Sequence, residues 1–205
     1  MTRVLLWLLA STLLAAPGPA PAQSHVAPET KDYTPADVAF MQGMIYHHTQ
    51  ALLMAGWAPD RAASADVQTL CARIISGQKD EIKIMAQWLA ERHEPVPHPE
   101  PEHMVHGMPD HMAPGMLTPE QLAQLERARG PEFDELFLRF MIQHHEGAVT
   151  MTNELFARGA GEENAVYKIA SGVFADQTTE IERMQRMLAD KLFGPPPVPV
   201  TTNPR

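Results

Sequence analysis

The sequence has a single cysteine, Cys71, among its 205 residues. An internal disulfide is therefore excluded, and the fold must hold together without one. Cys71 falls on the inward stripe of an amphipathic segment, so we expect a small buried core residue, with a soft-metal ligand as the alternative. No segment has the apolar–polar alternation of a β-strand, which predicts an all-α fold.

A long hydrophobic run is also missing. The apolar run over residues 4–16 is too short to span a bilayer, which takes about 20 residues. It follows a basic start at Arg3 and precedes Ala20-Pro21-Ala22, an A-x-A cleavage pattern. The pattern predicts a signal peptide over residues 1–22 and a periplasmic or secreted mature protein with no membrane span. No cysteine follows the run, which argues against a lipid anchor there.

Basic residues are scarce, since 16 Lys and Arg stand against 25 Asp and Glu, for a net charge of −9 at pH 7. Loss of Arg3 with the signal peptide makes this −10. An acidic chain is a poor candidate for binding nucleic acid. The sequence also has no nucleophile–base pair, phosphate-binding loop or zinc–water motif, so we expect no hydrolase. Its length fits one domain.

What the sequence does contain is an internal repeat with a spacing of 97 residues. Each copy holds a His-His pair, and a looser Gln-x-x-Glu-Ile-x-x-Met pattern follows each copy. The in-register matches pair Asp37, Phe40, Met44, Ile45, His47, His48, Ala51 and Met54 with Asp134, Phe137, Met141, Ile142, His144, His145, Ala148 and Met151. The looser pattern pairs Gln78, Glu81, Ile82 and Met85 with Gln177, Glu180, Ile181 and Met184. The repeat predicts a duplicated helix pair.

Helix start signals and prolines set the expected organisation. Thr34-Pro35 and Thr118-Pro119 are capped helix starts, and Gly130-Pro131 opens a further helix. Prolines forbid a continuous helix between the two halves. Four amphipathic helices, two short turns and one long crossover are typical of a four-helix bundle. We predict a flexible N-terminus at 23–33, a bundle at 34–193 (first hairpin 34–93, crossover 94–117, second hairpin 118–193) and a Pro-rich tail at 194–205.

The His-His pairs are predicted to face the bundle interior, because they lie within about 60° of the centre of the apolar stripe. Buried polar groups need partners. Two interpretations stay open: a metal centre, or a polar network that fixes helix register. The candidate metal ligands are Met44, His47, His48, Met141, His144 and His145, with Gln78, Glu81, Gln177 and Glu180 as oxygen acceptors for the metal-bound histidines. Asp37 and Asp134 are expected to cap their own helices.

The crossover concentrates soft donors and has almost no aliphatic residues, so nothing in it is expected to build a core, and we expect it to be mobile without metal. Thioethers suit Cu(I) and Ag(I), and imidazole also suits Cu(II). The alternatives are a Met-rich protein-binding surface and incidental zinc or nickel binding. The candidate donors are His98, His103, Met104, His106, Met108, His111, Met112 and Met116.

The twin D-x-x-F-x-x-x-M-I-x-H-H-x-x-A-x-x-M blocks and their Q-x-x-E-I-x-x-M companions resemble the CopM-like bacterial family of domains of unknown function, over residues 33–192. The resemblance implies a ferritin-like four-helix bundle, export, and binding of Cu(I) or Ag(I) through Met and His as part of metal resistance. The expected cofactor is copper, as Cu(I) or Cu(II), or silver, and the expected partners are metal ions and a copper exporter or chaperone.

The alternative from the same fold is a di-iron or di-manganese oxidoreductase. That chemistry requires a Glu-x-x-His pair on each of two helices. Met44 and Met141 stand where those carboxylates would be, three residues before His47 and His144. No catalytic residue is therefore predicted. A Met-rich protein-interaction module is a third possibility.

Overall fold

The computed structural model describes residues 32–99 and 113–194. The regular structure in these ranges is helical apart from one isolated bridge, between Ala62 and Gly130, so the predicted all-α fold is confirmed. The helices are α1 (Pro35–Gly56), α2 (Ala58–Arg61), α3 (Ala65–Glu91), α4 (Pro119–Arg127), α5 (Gly130–Ala157) and α6 (Asn164–Phe193). The predicted signal peptide, most of the N-terminal segment, the tail after Gly194 and the crossover donors His103, Met104, His106, Met108, His111 and Met112 lie outside the described residues.

Local chemistry sets where the helices begin. Thr34 and Thr118 each close a capping box, with Asp37 and Gln121 as the reciprocal partners. In both boxes two backbone N–H groups that the helix leaves unbonded gain side-chain acceptors. Gly130 opens α5 at φ 60°, a conformation that glycine adopts without steric cost. The helix starts predicted from the Thr-Pro and Gly-Pro pairs are therefore confirmed.

The long helices form two hairpins that meet through their histidine-bearing members. Helix α1 packs against α3, α5 packs against α6, and α1 contacts α5. Helix α2 is a single turn inside the first connection, and α4 packs on α5 and α1. This is the predicted four-helix bundle of two duplicated hairpins. Within residues 32–99 and 113–194, no helix has the length and apolarity to cross a membrane.

The core consists of two apolar clusters, one toward each end of the bundle. One cluster includes Met54, Leu70 and Phe137, and the other includes Phe40, Met85 and Val173. Along each long helix, the residues that separate the two clusters belong to the His-His or the Gln-x-x-Glu patterns. A polar layer therefore crosses the middle of the bundle between two hydrophobic ends.

The predicted helix-capping role is right for Asp37 and wrong for Asp134. Asp37 completes its own capping box, and its Oδ1 also accepts a hydrogen bond from Gly161 N at 2.7 Å, in the turn of the opposite hairpin. Asp134 is fully buried and too far along α5 to cap that helix, which begins four residues earlier. Its carboxylate instead accepts from the backbone N–H groups of Ala63 and Ser64, both at 3.1 Å, in the turn of the first hairpin. Each aspartate thus caps the turn of the other hairpin.

The crossover was expected to contribute nothing to the core, and this is wrong at its C-terminal end. Met116 is only 7% exposed and Leu117 is fully buried. Leu117 packs in the same cluster as Leu122 and Leu125 of α4. Because α4 covers the bundle there, the chain leading into it must also pack against α1 and α5.

Candidate metal centre

All four histidines of the repeats are completely buried in the polar layer, as the helical periodicity predicts. The rings of His47 and His144 lie with centroids 3.8 Å apart, which brings α1 and α5 together at this level. The ring centroids of His47 and His48 are 6.4 Å apart, and those of His144 and His145 are 6.2 Å apart. The duplication therefore places four imidazoles in a single layer.

Three of these imidazoles have a fixed orientation. His48 Nε2 lies 2.7 Å from Glu81 Oε2, and His145 Nε2 lies 2.6 Å from Glu180 Oε2. His47 Nε2 lies 3.1 Å from the carbonyl oxygen of Pro114. Carboxylates and carbonyls only accept hydrogen bonds, so Nε2 carries the proton in each case. The Nδ1 of a neutral ring in this tautomer has a bare lone pair.

Those lone pairs have no protein donor. In the described part of the chain, Nδ1 of His47, His48 and His145 and both ring nitrogens of His144 are buried without a hydrogen-bond partner. Buried polar atoms are nearly always satisfied, so a concentration of five in one layer requires an explanation. A metal-bound histidine usually donates its other nitrogen to an oxygen acceptor, which is the arrangement of these three imidazoles.

The electrostatics favour the neutral form of His47, His144 and His145. Burial, with smaller contributions from His48 and His145, lowers the pKa of His47 to about 3, although the bond to Pro114 opposes it. Burial and the neighbouring His47 hold the pKa of His144 well below its usual range. Burial also lowers the pKa of His145, against the opposing effect of Glu180. Neutral imidazole is the form that binds metal, so these rings need not lose a proton to do so.

Two predicted methionine donors are buried close to the histidines in the sequence. Met44 and Met141 are fully buried one helical turn before His47 and His144. Met44 belongs to one apolar cluster and Met141 to the other, so one methionine flanks the layer at each end. Nowhere in residues 32–99 and 113–194 are three or more His, Cys, Asp or Glu side chains placed to hold an ion. A centre here therefore needs the sulfur atoms, a small rotation of the imidazoles, or both.

The companion helices open onto a cavity beside this layer. A cavity of about 270 Å³ lies between α3 and α6. Its lining includes Gln78 and Glu81 of α3 and Gln177 and Glu180 of α6. Asp176 also lines it, and partial burial together with Glu81 and Glu180 raises the pKa of that carboxyl. Three carboxylates therefore share one small volume next to the histidines.

The predicted oxygen acceptors do not all play the same part. Glu81 and Glu180 bind the histidines, whereas Gln78 has no hydrogen-bond partner for either amide atom among the described residues. Gln177 Oε1 likewise has none in that part of the protein. Both glutamines are almost fully buried.

The end of the crossover packs on the two histidine-bearing helices at the level of the layer. An ideal Cβ on Gly147 would lie 1.9 Å from Pro114 O, so the backbone of residues 114–115 rests directly on α5. Gln50 holds Leu117, two residues further along, since its side-chain amide donates to Leu117 O at 3.1 Å and accepts from Leu117 N at 2.7 Å. Sequence reasoning missed Gln50, Pro114 and Gly147. The repeat held the signal, because Gln50 and Gly147 are equivalent positions at which the two copies differ.

The remaining predicted donors in the described residues differ in their exposure. His98 is exposed in the described start of the crossover, while Met116 is buried at its end. Cys71 is a buried core residue, and burial together with Asp134 raises the pKa of its thiol to about 12. The structure thus brings together the bundle histidines and leaves His98 exposed and Met116 buried at the two described ends of the crossover.

The part of the chain that carries the histidine layer also matches a known protein family. The family model of DUF305, a domain of unknown function, matches residues 37–188, which include both His-His pairs. The chain belongs to the DUF305 family. No protein with a curated description matches this DUF305 sequence.

Solved structures share the fold. A DUF305 fragment from Deinococcus radiodurans is 31% identical, with 77% of this chain and 97% of that chain covered and a TM-score of 0.64. A DUF305 protein from Streptomyces coelicolor is 28% identical, with 76% and 93% covered and a TM-score of 0.65. CopM in its Cu(I)-bound form is 28% identical, with 77% and 98% covered and a TM-score of 0.59. CopM has also been solved with Cu(II) and with silver.

Proposed function

We propose that this DUF305 chain is an exported metal-binding protein that holds Cu(I) or Ag(I) in the buried polar layer, in the service of copper tolerance or trafficking. The ligands are imidazole Nδ1 atoms of the His-His pairs and the thioethers of Met44 and Met141. The crossover methionines and histidines are further thioether and imidazole donors.

One observation carries the proposal: five buried imidazole nitrogens in one layer have no hydrogen-bond partner in the described part of the protein. A purely structural polar network would satisfy its members, since each unsatisfied buried group costs roughly 1–3 kcal/mol. A bound ion supplies the missing partner for several of them at once. CopM, which shares the fold, is known in copper-bound and silver-bound forms, and this supports the choice of ion.

The proposal is for binding and not for catalysis. A di-iron or di-manganese oxidoreductase of this fold uses four interior carboxylates with Glu-x-x-His pairs on two helices. In this chain, Glu81 and Glu180 already accept hydrogen bonds from His48 and His145. The positions one turn before His47 and His144 are methionines, which are soft ligands.

The test is an anaerobic titration with Cu(I) and with Ag(I), followed by NMR of the imidazole ¹⁵N nuclei. Before metal, we expect His47, His48 and His145 in the Nε2–H tautomer. On addition of Ag(I), the Nδ1 resonances of the bundle histidines should shift, while His93, an exposed residue outside the layer, should not. If the buried Nδ1 resonances stay unchanged at saturating Ag(I), the histidines serve structure alone.

A methionine exchange isolates the sulfur atoms. Leucine nearly conserves the volume of methionine, so a buried Met→Leu change removes the donor with little effect on packing. The double variant M44L/M141L should bind Ag(I) at least about tenfold more weakly, corresponding to a loss of roughly 1.4 kcal/mol. The matched control is M54L/M184L, two buried methionines in the apolar core outside the layer. Equal affinity in the two double variants would remove the thioethers from the ligand set.

A further inference from the structure

An ion bound in the polar layer must first reach it, because all four histidines are completely buried. On one side, the backbone of residues 114–115 lies against Gly147 so closely that a methyl group would not fit between them. On that side, main chain covers the layer at His47, whose Nε2 donates to Pro114 O.

The other side is different, since a cavity of about 270 Å³ lies between α3 and α6. Glu81 and Glu180 line this cavity and are 19% and 24% exposed at the side chain. The same carboxylates accept hydrogen bonds from the fully buried His48 and His145. Each glutamate therefore stands between the cavity and a histidine of the layer.

The lining of the cavity is suited to a cation that still carries water. Three carboxylates, from Glu81, Asp176 and Glu180, outnumber the guanidinium groups of Arg73 and Arg183. Gln78 also lines the cavity, is only 3% exposed and has no hydrogen-bond partner for its amide among the described residues. Carboxylate and amide oxygens can replace water molecules lost from a cation, before softer donors take over.

We propose that the cavity between α3 and α6 is the route by which a partly hydrated metal cation reaches the histidines, with Glu81 and Glu180 receiving it first. This rests on the proposed function, because it assigns an access route to that same metal centre. The glutamates attract the ion by charge, and each carboxylate lies within hydrogen-bonding distance of an imidazole.

The experiment obstructs the cavity without touching a ligand. Gly77 lines the cavity, and a Cβ added there meets no atom within 4 Å. Gly172 of α6 has equally open surroundings and lines a neighbouring cavity between the same two helices, which includes Glu81 but not Glu180, so Phe at this position is a control for obstruction beside the proposed route. The test compares Gly77→Phe with Gly172→Phe by stopped-flow binding of Cu(II), and by its release to a chelator. The relevant kinetic phase is the one that disappears when His47 and His144 are both replaced by Phe.

Obstruction has a specific kinetic signature. Gly77→Phe should slow association and dissociation by the same factor, so that Kd is unchanged, while Gly172→Phe should match the wild type. Gly77→Ala, which adds only a methyl group, should bind at the wild-type rate and verify that the helix tolerates a side chain. If Gly77→Phe binds and releases Cu(II) as fast as Gly172→Phe, the ion enters elsewhere and the inference is overturned.

A second comparison tests the charge. Glu180→Gln keeps an oxygen that can accept from His145 but removes the negative charge, and should slow Cu(II) association about fivefold at low ionic strength. The control is Glu182→Gln, two residues along α6 and 63% exposed, which should leave the rate unchanged. Equal rates in the two variants would contradict the role of Glu180. A wild-type protein that lacks the histidine-dependent phase with Cu(II), and whose buried imidazoles also do not respond to Ag(I), would instead refute the proposed function itself.

Discussion

A larger residue at position 147 should destabilise the protein, because the α-hydrogens of Gly147 face the main chain of the crossover. Replacing it with Ala places a Cβ 1.9 Å from Pro114 O and 2.6 Å from Gly115 Cα. Ordinary contact begins near 3.4 Å, and the obstructing atoms are backbone, which cannot rotate away as a side chain would. The segment at residues 114–115 must therefore move by more than about 1 Å, as these distances require.

The free-energy cost of that movement can be estimated from three contributions. Overpacking a well-packed site costs typically about 1–3 kcal/mol. Displacing Pro114 also removes the only described partner of His47 Nε2, and an unsatisfied buried donor costs roughly 1–3 kcal/mol. Ala stabilises a helix interior relative to Gly by about 1 kcal/mol. The net expectation is a loss of about 1–5 kcal/mol from the free energy of unfolding.

Urea denaturation of Gly147→Ala, followed by circular dichroism, measures this loss. The matched control is Gly77→Ala, the same substitution in the middle of another helix, where the added Cβ meets nothing within 4 Å. It should stabilise the protein by about 1 kcal/mol, so the two variants should differ in sign. The reasoning fails if Gly147→Ala is as stable as the wild type.

Three further predictions concern stability and reactivity. Because the folded-state pKa of His47 is lowered to about 3, the unfolded chain binds more protons below the ordinary value of 6.5. The contribution of His47 to the free energy of unfolding is thus complete above about pH 6.5 and is lost as pH falls toward 3. The loss is roughly 2 kcal/mol at pH 5. In urea titrations at several pH values, His47→Gln should flatten this dependence. Asp134→Ala, which loses two turn hydrogen bonds and the Lys191 ion pair at 3.0 Å, should lower stability by roughly 3 kcal/mol in thermal unfolding, whereas the same change at exposed Asp66 should have little effect. Cys71, buried with its pKa raised to about 12, should resist iodoacetamide at pH 8 in folded protein and react readily in urea, and rapid alkylation of the folded protein would contradict the burial.

The helices and the inward direction of the histidines were predictable because both depend on local chemistry. Thr34-Pro35 and Thr118-Pro119 begin helices through contacts within the first helical turn, whatever packs against the helix. The spacing of His47 and His48 from Met44 and Phe40 decides which face of α1 they share. Each of these inferences needs no knowledge of what packs on the helix, and the structure agrees with them.

The contacts that complete the site were not predictable in the same way. Gly147 could be recognised as a docking position only once Pro114 was known to lie on it. Asp134 looks like a helix cap in the sequence, but its partners are 70 and 71 residues away. Partners at such separations follow from how the hairpins dock, which no periodicity encodes.

The two aspartates also say something about the origin of the chain. Asp37 of the first hairpin caps the turn at Gly161, and Asp134 of the second caps the turn at Ala63 and Ser64. A hairpin alone would leave its own turn uncapped, but two identical hairpins related by a two-fold axis would cap each other. The contacts that now join two halves of one polypeptide are those a symmetric dimer would make between subunits, so fusing two copies of such an ancestral gene would have preserved every one of them.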